Sequence, residues 1–334
     1  MPRRKGLCPT ERDLRMASDL GEALVMDVPL FHRHFPADMT GDSCLRRLRK
    51  MVDAKLIAQV IPELTSARNA IFRLTDHGAA WLAYHTGSPP RRLLHAEPKA
   101  ISVPHRLHVS RIVLAFNDAA KAAGIPKPDW ILEYDRLPDA PSSVPIPQQF
   151  ILAEDFFPMA SAADRPAELY GPPQYNEASR SLLKSRPDAA CLVTLPSDST
   201  RLAFYIEADN GTETHSQFLK KLPTIHALFS TSAYRRHWPD HQATLMTPRS
   251  LLIFMSAQRR DNIIERIRSN PIHLWHCPPR YQPTPDDIQR AQLFLDKYFR
   301  FAALEDVIAA DMFASPIWRT ISGQGRSIYP PPST

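Results

Sequence analysis

The chain contains little glycine, with 10 glycines among 334 residues against 33 prolines. Loops that wrap around phosphates need glycines at fixed spacings, and neither GxxxxGK[ST] nor GxGxxG occurs in the sequence. The GxSxG pattern of a serine hydrolase is also absent. These absences argue against a nucleotide-binding fold of the P-loop or dinucleotide type and against the simplest hydrolase class.

Cysteines and long apolar runs are also scarce. The four cysteines lie far apart and form no CxxC pair, so neither a disulfide scaffold nor a cysteine zinc site is expected. A reducing cytoplasm suits such a chain. No run approaches the ~20 consecutive apolar residues of a membrane-spanning helix. We therefore expect a cytoplasmic protein that has no membrane partner.

The charge that is present is mildly positive. Lys and Arg number 41 and Asp and Glu number 35, which gives a net charge of +6 and favours anionic partners. At roughly 100–200 residues per domain, the length allows two or three domains. A proline-punctuated linker is predicted at 87–104, between a domain at 1–86 and a domain at 105–305. Residues 306–334 are expected to form a C-terminal tail.

The first 86 residues have the pattern of a winged helix-turn-helix domain. Three helices are predicted at residues 11–24, 27–35 and 41–54, followed by strands at 56–62 and 70–74. Three helices followed by a hairpin is the element order of that DNA-binding fold. Thr10 and Asp13 form a capping-box variant before the first helix, and Thr40 is expected to cap the third.

Basic residues cluster on the third predicted helix, which would be the recognition helix. The predicted DNA contacts are Arg46, Arg47, Arg49 and Lys50 on this helix and Arg68 in the wing. Two alternatives remain open. The charges can be a solvated helix face, and a winged helix can dock another protein instead of DNA.

Residues 105–277 alternate helix and strand, which predicts an α/β (α+β) core with a mixed sheet. Pro223 must kink or split a predicted helix at 212–229, because proline lacks the N–H that a helix interior requires. A last helix is expected at 286–304, and the chain after Arg319 is expected to be loose. The predicted strands of the core are 130–134, 189–195, 201–209, 250–257 and 272–277.

Three carboxylates mark a candidate metal site in this core. Asp188 begins one predicted strand, whereas Glu207 and Asp209 end the next and point the same way. If the two strands pair as a hairpin, the three groups repel each other unless a cation neutralises them. Oxygen ligands of this kind suit Mg²⁺ or Mn²⁺, which can activate water and stabilise a phosphodiester transition state. Alternatively, they are solvated strand ends, and Asp-Asn-Gly is an ordinary turn sequence.

The order of short motifs resembles a known family. PD followed by ExD across a hairpin is similar to the PD-(D/E)xK nuclease superfamily, and the full order resembles the replication-relaxation family of plasmid and mobile-element proteins. The resemblance covers about residues 10–277. Its pieces are His105-Arg106-Leu107, Trp130 to Glu133, Arg186-Pro187-Asp188, and Glu207-Ala208-Asp209-Asn210-Gly211-Thr212-Glu213 with Lys220, Lys221 and Leu222 behind.

The resemblance implies a restriction-endonuclease-like αβββαβ core and metal-dependent nicking of one DNA strand. Asp188 and Glu207 would then ligate the metal. Asp209 departs from the superfamily pattern, because it stands where a lysine is usual. The departure either shifts the charge-stabilising cation to Lys220 or Lys221 or means that the site is not hydrolytic.

Two further residues receive roles from the resemblance. Glu133, at the end of the preceding strand, can add a metal ligand or act as a general base, or it can merely cap the strand. His105, at a helix start, can orient water or phosphate, although a lone histidine there can also be structural.

The sequence thus predicts a DNA-binding, relaxase-like nicking protein of plasmid mobilisation, conjugation or replication. The alternative is a replication or transcription regulator whose nuclease-like domain is inactive, and a weaker one is a scaffold for other mobilisation proteins. The expected partners are double-stranded DNA and single-stranded DNA at a nick, with no small-molecule cofactor. A homodimer would suit palindromic half-sites.

Overall fold

The computed structural model describes residues 8–61, 69–94, 98–137, 149–156, 183–194, 200–241, 243–275, 283–309 and 311–328. The chain divides into two compact units, Met1–Ala115 and Phe116–Thr334, called here the N-terminal and C-terminal units. The division falls within the helix α5 (Val103–Ala122), and both predicted domain boundaries, at 86 and 104, precede the division. Within the described ranges, no helix combines the length and the apolar character needed to cross a bilayer.

The N-terminal unit contains three helices followed by an antiparallel hairpin, in the order that the sequence predicts. These three helices are α1 (Glu11–Ala23), α2 (Val28–His32) and α3 (Gly41–Asp53), and a fourth helix, α4 (Asp76–Thr86), follows the hairpin. The strands are β1 (Met26–Asp27), β2 (Ile57–Val60) and β3 (Ile71–Leu74), arranged β1-β3-β2. The hairpin pairs Ile57 with Leu74 and Val60 with Ile71.

Helix caps and a close backbone contact fix the ends of these helices. Both hydrogen bonds of the predicted Thr10–Asp13 capping box are present. Thr40 occupies the N-cap position of α3 but makes no side-chain capping bond, so that part of the prediction is wrong. At Gly78 a Cβ atom would lie 1.9 Å from the carbonyl oxygen of Leu56, so only glycine allows α4 to approach this backbone.

Asp13 also ties α1 to α3. Its fully buried carboxylate accepts hydrogen bonds from Thr10 and, at 2.7 Å, from Nε of Arg47. Burial alone would raise the pKa of Asp13, but the hydrogen bonds from Arg47 and Thr10 outweigh it and hold the pKa below its ordinary value. Arg47 is therefore a structural partner within this unit.

We expect Arg47→Ala to destabilise the pairing of α1 with α3 by about 2 kcal/mol at pH 7, because it leaves a buried carboxylate without its cation. Since the folded pKa of Asp13 is depressed, this stability is present above the ordinary value of 3.8 and is lost as the pH falls through the folded value. Amide hydrogen exchange of α1, measured from pH 7 downward, tests this. The matched control is Arg46→Ala on the exposed side of α3, expected to change stability by less than about 0.5 kcal/mol. Equal effects of the two variants would contradict the assignment.

The C-terminal unit is built on a seven-stranded sheet, which is mixed, as predicted. Its order is β12-β11-β10-β9-β8-β7-β4, with β8, β9 and β10 mutually parallel and the other neighbours antiparallel. The strands of this sheet are β4 (Asp129–Leu132), β7 (Ala189–Thr194), β8 (Arg201–Asp209), β9 (Arg249–Phe254), β10 (Phe299–Ala303), β11 (Trp318–Arg319) and β12 (Gly325–Arg326). Strands β5 (Glu154–Phe156) and β6 (Leu183–Ser185) form a separate pair.

Helices connect these strands and cover the sheet. They are α5 (Val103–Ala122), α6 (His215–Leu219), α7 (Leu222–Ser230), α8 (Ala257–Ser269), α9 (Pro285–Tyr298) and α10 (Leu304–Ala309). Pro223 lies in the first turn of α7 and separates it from α6, which confirms the predicted break. One apolar core packs α7, α8 and α9 against the sheet. Phe116 contacts Trp130, Phe204 and Trp318 in a second aromatic cluster.

Two predicted elements in the C-terminal unit are wrong. Residues 272–274 of the expected strand at 272–277 lie in a 3-10 helix that begins at Pro271, and residues 276 and 277 lie outside the described part. The helix expected at 286–304 ends at Tyr298, and the following residues form β10. Beyond it, β11 and β12 extend the sheet into the region predicted to be a loose tail.

Candidate functional site

Three carboxylates lie in one row across neighbouring strands β4, β7 and β8. Leu132 pairs with Ala189, which pairs on its other side with Ile206. Extending these antiparallel registers by one residue aligns the next position of each strand, and aligned residues share a face of the sheet. We call these three positions the carboxylate row: Glu133, Asp188 and Glu207.

Hydrogen bonds fix the row. The N–H of Glu133 donates to the carbonyl of Asp188 at 2.9 Å, and the N–H of Asp188 donates to the carbonyl of Ile206 at 3.1 Å. The Asp188 carboxylate accepts the N–H of Ala208 at 2.7 Å. Oxygens of the Glu133 and Asp188 carboxylates lie within 4.8 Å of each other. The hairpin therefore brings Asp188 beside Glu207, as the sequence predicts.

Lys221 supplies positive charge to the row. Its Nζ lies 3.2 Å from Glu207 and 3.3 Å from Glu213. Burial lowers the pKa of Lys221, but the charges of these carboxylates and of Asp188 outweigh burial and raise the pKa above its ordinary value. Lys220 lies exposed at the end of α6. Lys220 and Lys221 were the two lysines predicted to stabilise charge at the site, and the structure places Lys221 in contact with the row.

Negative charge still exceeds positive charge around Glu207. The pKa of this carboxyl is raised to about 7, because burial and the charges of Asp188 and Glu213 raise it by more than Lys221 lowers it. Glu207 and Asp188 are both buried. A buried site with oxygen donors and excess negative charge fits a hard divalent cation such as Mg²⁺ or Mn²⁺.

Asp209 is engaged elsewhere. Its buried carboxylate forms an ion pair with Arg259 of α8 through two hydrogen bonds and accepts the N–H of Gly211 at 2.8 Å. Arg259 also donates to the carbonyl of Glu213 at 2.6 Å. Gly211 has φ +76°, which favours glycine in this turn. The structure thus ties Asp209 to α8.

Three residues near the row were not among the predicted site residues: Arg186, Glu213 and Arg259. Arg186 pairs with Glu133 at 2.7 Å, and its guanidinium lies 5.4 Å from the ring centroid of Phe150. Arg186 and Glu213 belong to the quoted RPD and GTE motifs, which was a usable signal. Arg259 had no such signal, because 50 residues separate it from Asp209.

The remaining predicted site residues lie in the N-terminal unit. His105 is in the first turn of α5 and is half-buried. Arg46, Arg49 and Lys50 are exposed on α3, whereas Arg47 turns to Asp13. Arg68 lies outside the described residues.

Comparisons with known proteins place the chain in a family. A search of curated proteins and a search of solved structures both found no match. A sequence model described as replication-relaxation matches residues 20–239, which is about two thirds of the chain. The match includes the whole carboxylate row and Lys221. The chain belongs to the replication-relaxation family.

Proposed function

We propose that this chain is a DNA-binding, metal-dependent, relaxase-like nicking protein that acts in replication or mobilisation. Membership of the replication-relaxation family supports the role in replication or mobilisation. The observation that carries the nicking chemistry is the carboxylate row with Lys221 against it. A row of acids on neighbouring strands is costly for stability unless a cation offsets it.

In this proposal Asp188 and Glu207 hold Mg²⁺ or Mn²⁺, and Glu133 is the third carboxylate. The ion would activate a nucleophile and offset charge on the phosphodiester. Glu133 takes the third place because it continues the row, whereas Asp209 is paired with Arg259. Asp209 then acts as an anchor for the turn that carries Glu213.

Lys221 takes the part of the lysine that the ExK pattern lacks. The surrounding carboxylates keep its ammonium protonated, so it offers a fixed positive charge beside Glu207. Such a charge can hold a non-bridging phosphate oxygen and stabilise the charge that develops during strand scission. Arg186 orients the Glu133 carboxylate through its ion pair.

In this proposal the N-terminal unit binds DNA as a winged helix, with α3 as the recognition helix and the β2–β3 hairpin as the wing. Arg46, Arg49 and Lys50 present exposed positive charge along α3. Arg47 is excluded from this set because it neutralises Asp13. Duplex DNA is the proposed partner, with single-stranded DNA at the nick, and a homodimer and a cytoplasmic location complete the proposal.

The pairing of Asp209 with Arg259 favours a second candidate function. A site that replaces the usual lysine with an internally neutralised aspartate suits a regulator that kept the fold and lost catalysis. Such a regulator would bind DNA and leave it intact.

The test is nicking of supercoiled plasmid that carries the DNA flanking the gene, with Mg²⁺ or Mn²⁺ and with chelator. We expect nicking with either metal, none with chelator, and at least a 100-fold loss in Asp188→Asn, because one charged ligand is removed while an acceptor for Ala208 N–H remains. The control, Glu305→Gln at an exposed position on α10, should match wild type. Footprinted binding without nicking would favour the regulator, and full activity of Asp188→Asn would contradict the site.

A further inference from the structure

Three arginines lie on one face of the sheet: Arg249 of β9, Arg300 of β10 and Arg326 of β12. Arg300 pairs with Leu251, and Arg249 lies two residues before Leu251, so the two arginines project from the same face. On the neighbouring antiparallel strands, Phe301 pairs with Arg319, and Trp318 pairs with Arg326. Phe301 and its partner Arg319 face away from Arg300, so Trp318 and its partner Arg326 lie on the same face of the sheet as Arg300. We call Arg249, Arg300 and Arg326 the arginine cluster.

The cluster lies apart from the carboxylate row. Arg249 aligns with Phe204 of β8, an even-numbered position, whereas Glu207 and Asp209 occupy odd-numbered positions and face the other side. Glu207 of the row lies three positions beyond Phe204, which is about 10 Å along the strand. No role proposed above uses these arginines.

The three guanidinium groups form no ion pair in the part of the chain that the structure describes. Nε of Arg249 is buried and has no hydrogen-bond partner there. Arg300 donates only to the backbone carbonyls of Asp296 and Phe299, at 2.8 and 2.7 Å. Arg326 donates to the neutral side chain of Gln324 at 2.6 Å. Among the described residues, no carboxylate forms an ion pair with any of the three.

Arg249 and Arg326 both act electrostatically on Arg300. Burial lowers the pKa of Arg300, and the charges of Arg249 and Arg326 lower it further, to about 10, against the opposing effect of Asp296. Burial also lowers the pKa of Arg249. Half-buried cations that repel each other are unfavourable unless an anion joins them.

We propose that the arginine cluster is a binding site for a phosphate group. A guanidinium group can donate two parallel hydrogen bonds to two oxygens of one phosphate. Three guanidinium groups carry more N–H donors than a single carboxylate can accept. Arg326 is exposed and the other two arginines are half-exposed, so a ligand can reach the cluster from solvent. The phosphate can be a diester of a nucleic-acid strand or free inorganic phosphate. Both share the chemistry that the cluster recognises.

The test measures thermal unfolding of the full chain in chloride and in inorganic phosphate at equal ionic strength. Phosphate at about 100 times its Kd should raise the Tm of wild type by about 3–4 °C. The shift should disappear in Arg249→Gln/Arg300→Gln, whose Tm in chloride should exceed that of wild type because the repulsion is relieved. Arg326→Gln, at an exposed position, should reduce the shift and serves if the double variant does not fold. Arg266→Gln, exposed on α8, is the matched control.

A second measurement separates the two sources of phosphate. Fluorescence anisotropy of a labelled single-stranded oligonucleotide should show about tenfold weaker binding by Arg326→Gln and a shallower salt dependence if the cluster holds a strand. A lost phosphate shift with unchanged oligonucleotide binding would support a site for free phosphate. Equal phosphate shifts and equal oligonucleotide binding in wild type and Arg326→Gln would overturn the proposal.

Discussion

Glu207→Gln is expected to abolish nicking and at the same time to make the metal-free protein more stable above pH 7. The loss of activity, about 1000-fold, follows from the removal of one charged ligand of the proposed metal site. The gain in stability follows from burial, which raises the folded pKa of Glu207 to about 7. Opposite effects of one substitution on activity and stability would mark a functional site.

The sign of the pH dependence follows from linkage. An acid whose folded pKa is raised binds its proton more tightly when folded, so its ionisation costs folding stability as the pH rises from about 4.5 to about 7. Glutamine removes that cost, which we expect to reach about 1–3 kcal/mol at pH 8 and to vanish near pH 4. Urea unfolding of both proteins at pH 4, 6 and 8, with chelator present, measures it.

Glu213→Gln provides the comparison for Glu207→Gln. Glu213 also contacts Lys221 but is more exposed and lies outside the carboxylate row. Its replacement should change stability by less than about 1 kcal/mol at any of the three pH values. If Glu207→Gln destabilises the protein at pH 8, the Glu207–Lys221 pair is a net stabilising ion pair, and the excess of negative charge inferred here is wrong.

Arg259→Ala is expected to destabilise the C-terminal unit by about 3–5 kcal/mol, because it leaves the buried carboxylate of Asp209 without its cation. Asp209→Asn/Arg259→Gln removes both charges and should recover at least about 2 kcal/mol of that loss. The free energy of unfolding from urea titrations of the two single variants and the double variant gives the coupling energy.

The same variants separate an anchor from a metal ligand. If Asp209 anchors the turn, the double variant should retain most of the Mn²⁺ affinity, which calorimetry measures without reference to activity. If Asp209 is a ligand, the double variant should lose about tenfold or more in Mn²⁺ affinity despite its regained stability. Arg266→Ala, on the exposed side of the same helix, should change neither quantity.

Local patterns were sufficient for much of the fold. Thr10 and Asp13 specify a cap through side chains three residues apart, and Pro223 breaks a helix because it lacks an N–H. The β7–β8 hairpin follows from two apolar runs joined by a short polar turn, and it brings Asp188 to Glu207. In each case the interaction that decides the structure lies close in sequence.

The errors arise where distant contacts decide. Residues 299–303 continue an apolar pattern that equally suits a helix, and their pairing with β9, some 50 residues earlier, makes them a strand. Pro271 favours a helical first turn over the strand expected there.

The same distinction between local and distant contacts applies to the candidate site. The sequence found the Asp188–Glu207 pair, but the alignment of Glu133 with it depends on which strand joins the far side of β7. The partnership of Asp209 with Arg259 depends on the packing of α8 and could not be predicted from spacing.

The sheet order has a consequence for how the protein can be divided. The part matched by the family ends at residue 239, before β9, yet β9 pairs with the strand that carries Glu207. A fragment that stops at residue 239 would leave one side of β8 with unpaired backbone N–H and C=O groups along its length. An apolar edge of that kind is a template for intermolecular strand addition, so the fragment would self-associate. The final third of the chain thus shields the strand on which the proposed chemistry depends.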